Sequence, residues 1–121
     1  MLVNGSSALA SNSVGRSASI ILNDADLEAA VSASVASAML NSGQTSSTWT
    51  RLLVPHSSCE SALEIAGVCA GSMVLGDPLD RHTQLGLVIS ARHRASIGDA
   101  LARGPRLITG GSERISERGH L

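Results

Sequence analysis

Aromatic side chains are almost missing: this chain of 121 residues has no Phe, no Tyr and a single Trp. Large aromatics bury about 150–250 Å² each, so Ala, Val, Ile and Leu must fill any core. A chain of this length fits one domain and buries roughly two thirds of its unfolded surface. Without aromatics, and with abundant Ser lowering helix propensity, marginal stability is expected unless a partner supplies more buried surface. Lysine is missing too, all nine basic residues being Arg, and the net charge is −1. That balance gives no sequence-wide attraction to nucleic acid or to an anionic membrane. No run approaches the roughly 18 apolar residues of a membrane span. The N-terminus lacks a charged region followed by an apolar core, so no signal peptide is expected and the cytoplasm is the default. Cysteine is limited to Cys59 and Cys69. Both fall in one expected helix, where ten residues rise about 15 Å, too far for the roughly 4.4–6.8 Å between bridged Cα atoms. They read as small, unpaired apolar residues.

What is present centres on residues 41–51, Asn-Ser-Gly-Gln-Thr-Ser-Ser-Thr-Trp-Thr-Arg. Before this stretch, Leu27, Val31, Val35, Ala38 and Met39 recur at steps of three and four, which predicts a helix from about Asp26 to Leu40. Asp24 or Asp26 can cap its start. Asn41 and Gly43 stop it, since both tolerate the left-handed conformation found after helix ends. Residues 51–55 then form a short apolar run closed by Pro55 and read as a buried strand. A polar loop between two buried elements can present a side chain into a cleft, and Ser46 is the natural candidate.

The rest of the chain follows the same logic. Residues 1–16 are Ser-, Ala- and Gly-rich and read as an irregular N-terminal segment. Residues 17–22 form a strand with an increasingly apolar end. Ser57 or Ser58 can cap a helix running to about Met73, its apolar face traced by Cys59, Leu63, Ala66, Ala70 and Val74. Gly67 and Gly71 inside it each cost roughly 1 kcal/mol relative to Ala. Residues 76–80 read as a tight turn. A third helix spans about Ser90 to Ala102, with Ile89, His93, Ile97 and Leu101 on one face. Gly104-Pro105 breaks it, residues 106–109 form a last strand, and residues 112–121 are a polar tail. This order of strands and helices predicts an α/β fold with a mainly parallel sheet and right-handed crossovers, carried by residues 17–111.

The segment Asn41-Ser42-Gly43-Gln44-Thr45, then position 46, then Thr50-Arg51-Leu52-Leu53-Val54-Pro55, resembles the active-site segment of the aldehyde dehydrogenase superfamily. Upstream, Asn12-Ser13-Val14-Gly15-Arg16-Ser17 lies where that family carries Glu-Leu-Gly-Gly-Lys-Ser, with no gap from there to position 46. The stretches Leu22 to Val31 and Gly76 to Asp80 are similar to the family as well. The resemblance implies a partial catalytic domain with Ser46 at the catalytic cysteine's position and Asn12 at the general-base glutamate's. Ser13 and Gly15 fall at positions that approach the cofactor, NAD or NADP. It covers a middle segment of a much longer family, so the Rossmann-like cofactor domain, the oligomerisation strands and the Glu-Glu-Ile-Phe-Gly-Pro motif are expected to fall outside it.

The family oxidises small aldehydes to carboxylic acids. A thiolate attacks the carbonyl, hydride passes to NAD(P), and the glutamate activates water. Free Cys reaches its thiolate near a pKa of about 8.5, whereas a Ser hydroxyl needs an adjacent base. The Asn12 amide accepts no proton. The expectation is a truncated aldehyde dehydrogenase-like segment, inactive as it stands. The second expectation is a non-catalytic interaction module forming a homo- or hetero-oligomer with an intact aldehyde dehydrogenase. A gene product without a folded role is the third. A Ser46 hydrolase would require one of His56, His82, His93 or His120 as base, and no Gly-x-Ser-x-Gly elbow surrounds Ser46. No His or Cys spacing suits a metal. Gly110-Gly111 reads as a turn, Glu60 and Glu64 as a solvated face, and Ser46, Ser47 and Thr48 also read as hydroxyls bonding their own backbone.

Overall fold

A computed structural model of the chain describes residues 2–3, 17–103 and 106–111. The expected site positions Asn12, Ser13 and Gly15, the break at Gly104-Pro105 and the tail at 112–121 lie outside the described residues. The elements run β1 (Leu2–Val3), β2 (Ser17–Ile20), α1 (Leu27–Met39), β3 (Trp49–Leu53), α2 (Cys59–Gly71), α3 (Ala91–Ala102) and β4 (Arg106–Leu107). The α/β class agrees with the sequence reading. The strands differ from it in arrangement. β2 and β3 pair in parallel, while β1 and β4 form a separate antiparallel ladder. Leu2–Val3, read as irregular, are thus strand, because β4 supplies a partner that no local pattern announces.

Helix α1 begins where Asp26 Oδ1 accepts the Ala29 amide hydrogen at 3.0 Å, which settles the cap on Asp26 rather than Asp24. Its stripe buries Val31 and Val35 against Ile21, Ala62 and Ala66, and these five residues are the core cluster among the described residues. Small side chains on α2 let the two helices approach closely. At one point Ser32 Oγ and Cys69 Sγ lie 3.3 Å apart across the interface. On the other side of α1, Ser34 Oγ lies 2.8 Å from Ser19 Oγ of β2 and 2.7 Å from the Ala30 carbonyl oxygen. A buried hydroxyl is tolerated there because both contacts satisfy it.

Alternation governs the β2–β3 ladder. Ile21, Leu52 and Val54 turn toward the core, while Ile20, Leu22 and Leu53 point outward and are exposed. The apolar run of residues 51–55 is therefore half-buried, not a strand covered on both faces as its composition suggested. Helix α2 differs in its cap and in its buried face. Ser58 makes no side-chain capping bond; a short 3₁₀ turn, His56–Ser58, leads in instead. The face against the core is Ala62, Ala66, Ile65, Cys69, Ala70 and Met73, with Val74 exposed. Ala62 and Ala66 can come closest to α1, and that sets the rotation.

The two helix glycines have a physical reason. A β-carbon at Gly67 would lie 3.3 Å from Ile108 Cγ2, and one at Gly71 would lie 3.6 Å from Thr109 Oγ1. The segment after β4 lies across this glycine face. Helix α3 starts at Ser90, whose Oγ accepts the His93 amide hydrogen at 3.1 Å, yet none of its residues is buried. The face expected from Ile89, His93, Ile97 and Leu101 is not a packed one, and Ile89 is 83 % exposed.

Candidate functional site

Where α1 ends, the backbone turns left-handed for three residues in a row: Asn41 (φ 52°), Ser42 (φ 56°) and Gly43 (φ 76°). Asn41 and Gly43 were expected to adopt this conformation; Ser42 was not. A left-handed residue other than Gly costs roughly 1–2 kcal/mol, so neighbouring contacts must hold it. Ser42 Oγ donates to the Gly86 carbonyl at 3.1 Å. Gln44 does more. Its Nε2 donates to the Asn41 and Leu87 carbonyls, both at 3.2 Å, and its Oε1 accepts the Ile89 amide hydrogen at 2.7 Å. The sequence marked Asn41 and Gly43 as a helix stop and gave Gln44 no role. Two of its three partners, Leu87 and Ile89, are more than 40 residues away, and no local pattern points to them.

The turn carrying Ser46 follows. Thr48 is buried, its Oγ1 donates to the Thr45 carbonyl at 2.8 Å, and its own amide bonds the same oxygen at 3.4 Å. Thr45 Oγ1 in turn reaches the Leu40 carbonyl at 3.4 Å. Thr48 is thus a loop hydroxyl satisfied by nearby backbone, as one sequence reading held. Ser46 and Ser47 differ: both are exposed at the turn's tip. Among the described residues, Ser46 Oγ has no hydrogen-bond partner. His56, His82 and His93 are all exposed, and none bonds Ser46. His120 lies outside the described residues. Among the described residues, the arrangement presents a hydroxyl with no histidine bonded to it.

Beside the loop, Asn41, Ser42, Pro78, Thr83, Gln84, Gly86 and Leu87 line an open cleft of about 350 Å³. Its far wall is a loop closed at its base by the Gly76 amide on the Leu85 carbonyl (3.1 Å) and by the Gln84 and Leu85 amides on the Val74 carbonyl. Asp77 and Asp80 fold this loop on itself by accepting the Leu79 and His82 amides, both at 2.9 Å. The sequence read residues 76–80 as a tight turn, and this is that turn. Among the described residues, no group of three or more His, Cys, Asp or Glu could hold a metal, and no helix is long and apolar enough to cross a membrane. Cys59 and Cys69 are free thiols.

The model of the aldehyde dehydrogenase family matches residues 7–121, nearly the whole chain. The chain belongs to the aldehyde dehydrogenase family. It is 38 % identical over 104 residues to a 3-succinoylsemialdehyde-pyridine dehydrogenase of Pseudomonas, which covers 83 % of this chain and 22 % of that enzyme. It is 39 % identical over 101 residues to betaine aldehyde dehydrogenase 1 of Rhizobium meliloti, covering 80 % of this chain and 21 % of the relative. Among solved structures, the fold is similar to aldehyde dehydrogenase C of Pseudomonas syringae, a cysteine-to-alanine mutant in complex with NAD+ and octanal. The TM-score there is 0.79 at 33 % identity, over 85 % of this chain and 22 % of that one. The chain therefore spans about a fifth of the length of these aldehyde dehydrogenases.

The family implies NAD(P), and the described residues can be tested for a fit to it. A dinucleotide brings a pyrophosphate, which is held by helix N-termini, glycine-rich backbone or cations. The residues lining the cleft carry no charge, and α1 and α2 each hold an acidic residue, Glu28 and Glu60, in the first turn. A carboxylate there repels phosphate. Helix α3 has no acidic residue in its first turn, so among the described residues the cleft lining and the starts of α1 and α2 are the parts that offer a pyrophosphate no positive charge.

Proposed function

We propose that this aldehyde dehydrogenase segment does not itself oxidise aldehydes, Ser46 standing at the nucleophile position and Asn12 at the general-base position. Carrying this reading is the exposed Ser46 hydroxyl, which has no hydrogen-bond partner and no bonded histidine among the described residues. A hydroxyl so placed keeps its proton, and a protonated alcohol is a weak attacker of a carbonyl. Loss of a general base alone commonly lowers rate about 10²–10⁴-fold. Ser13 and Gly15 belong to the same reading, at sequence positions that in the family approach the cofactor.

The test is direct. Incubated with NAD or NADP and a panel of small aldehydes, the chain is expected to yield no reduced cofactor. Turnover that Ser46→Ala abolishes would overturn the proposal.

A second reading is favoured by a separate observation. The outer face of the β2–β3 ladder leaves Ile20, Leu22 and Leu53 between 51 % and 67 % exposed, with Trp49 beside them. Contiguous exposed apolar surface marks an interaction site in a folded protein. The chain is then a non-catalytic module pairing with an intact aldehyde dehydrogenase. Size-exclusion chromatography with a full-length relative is expected to show co-elution, and two independent peaks would count against it.

A further inference from the structure

Gln44 commits its whole side-chain amide across a gap in sequence. The two Nε2 hydrogens go to the Asn41 and Leu87 carbonyls and Oε1 takes the Ile89 amide. Reversing the amide would set its NH₂ against the Ile89 N–H and its oxygen against two carbonyls, so only one orientation satisfies the site. Ser42 adds a parallel tie to the Gly86 carbonyl. These ties fall on the left-handed run at 41–43, which persists only where its surroundings hold it. They end at Ile89, one residue before the Ser90 cap of α3.

We infer that Gln44 is a positioning residue whose amide clamps the loop of residues 41–48 to residues 86–89 and thereby fixes how residue 46 is presented. The inference rests on position 46 being the nucleophile position, but it does not depend on the side chain there. The turn at 45–48 closes through Thr48 and Thr45, and Gln44 anchors the residue immediately before that turn. What this chain lacks at the site is then the reacting atom, while the scaffold that would orient it remains built.

A nitroxide label at position 46 reads presentation directly, using the full chain as Ser46→Cys with Cys59→Ser and Cys69→Ser so that a single thiol reacts. Exchange of the Ile89 amide hydrogen reads the clamp, and exchange at Val31 and Val35 reads the core. Gln44→Leu keeps the bulk and removes all three bonds. It is expected to sharpen the label's spectrum toward free motion and to speed Ile89 exchange by about three- to tenfold, the effect of one lost neutral hydrogen bond, with Val31 and Val35 unchanged. Gln44→Glu keeps an acceptor for Ile89 but no donor, so Ile89 should stay protected while the label still gains mobility.

An unchanged label spectrum in Gln44→Leu would overturn the clamp. So would core amides that speed up in step with Ile89, since Gln44 would then act on stability alone. Cofactor reduction by the unaltered chain would overturn the inactivity proposed above and leave the clamp standing, so the two failures are distinguishable.

Discussion

Gly43 sits at φ 76°, and an added β-carbon would make no more than ordinary contact, its nearest heavy atom being the Ala38 carbonyl oxygen at 3.7 Å. A methyl group fits there, but the backbone conformation does not suit an L residue. Gly43→Ala should therefore cost about 1–2 kcal/mol through the backbone term alone. A urea titration checks it: the midpoint should fall while the slope stays the same. Asp26→Ala removes the hydroxyl-free but strongly accepting cap of α1 and should cost about 1 kcal/mol, read in the same titration. At this scale the sequence was a good guide to single residues whose role is local. Asp26 as a cap, Gly43 as a helix stop and Ser90 at the start of α3 all follow from their own neighbours. Ser42 and Gln44 did not, because the bonds that give them their role reach residues 86–89, and a contact spanning more than 40 residues leaves no trace in a three- or four-residue pattern.

Helices α1 and α2 owe their stability to packing, whereas α3 does not. Val31 is fully buried between them, and a helix of this length is marginal in water without such burial. Helix α3 has no buried residue, so its propensity and its cap matter more. Nothing lies within 4 Å of a β-carbon added at Gly98, and Gly98→Ala should gain α3 about 1 kcal/mol. Circular dichroism at 222 nm should show more helix with little change in the unfolding midpoint. Gly67→Ala makes the contrasting case. Its added carbon meets Ile108 Cγ2 at 3.3 Å, so the helical gain is offset by crowding and the net change should be smaller than at Gly98. Element existence was legible because the periods of Val31, Val35 and Met39, or of Cys59, Leu63, Ala66 and Ala70, are strong. Which face of α2 is buried was less so, since Ala, Cys and Leu are all apolar enough to serve, and geometry chose the smallest. The pairing of Leu2–Val3 with Arg106–Leu107 was illegible for the reason that applies to Gln44: strand partners far apart in sequence carry no local signature.

Across the whole molecule, the shortage of aromatics becomes a shortage of interior. The described core cluster is Ile21, Val31, Val35, Ala62 and Ala66, while Ile20, Leu22, Leu53, Val68, Leu79 and Ile89 are all more than half exposed. The chain corresponds to about a fifth of its relatives' length, and a family segment of that size shares its interior with the rest of a catalytic domain only if that domain is present. Ile20 and Leu53 are the pair to test, because they are register partners in the parallel ladder and so share one face. Neither side chain turns toward the core, so charge can be placed on both without opening a cavity. Ile20→Lys combined with Leu53→Lys should leave the helical signal unchanged and the unfolding midpoint within about 0.5 kcal/mol, as is usual for surface positions. If the face is a docking surface for an intact aldehyde dehydrogenase, the same pair should abolish co-elution, since two unpaired ammonium groups in an apolar contact cannot be desolvated cheaply. Co-elution that survives the double substitution would move the contact elsewhere on the chain. Loss of the helical signal would mean instead that this face is needed for the fold itself.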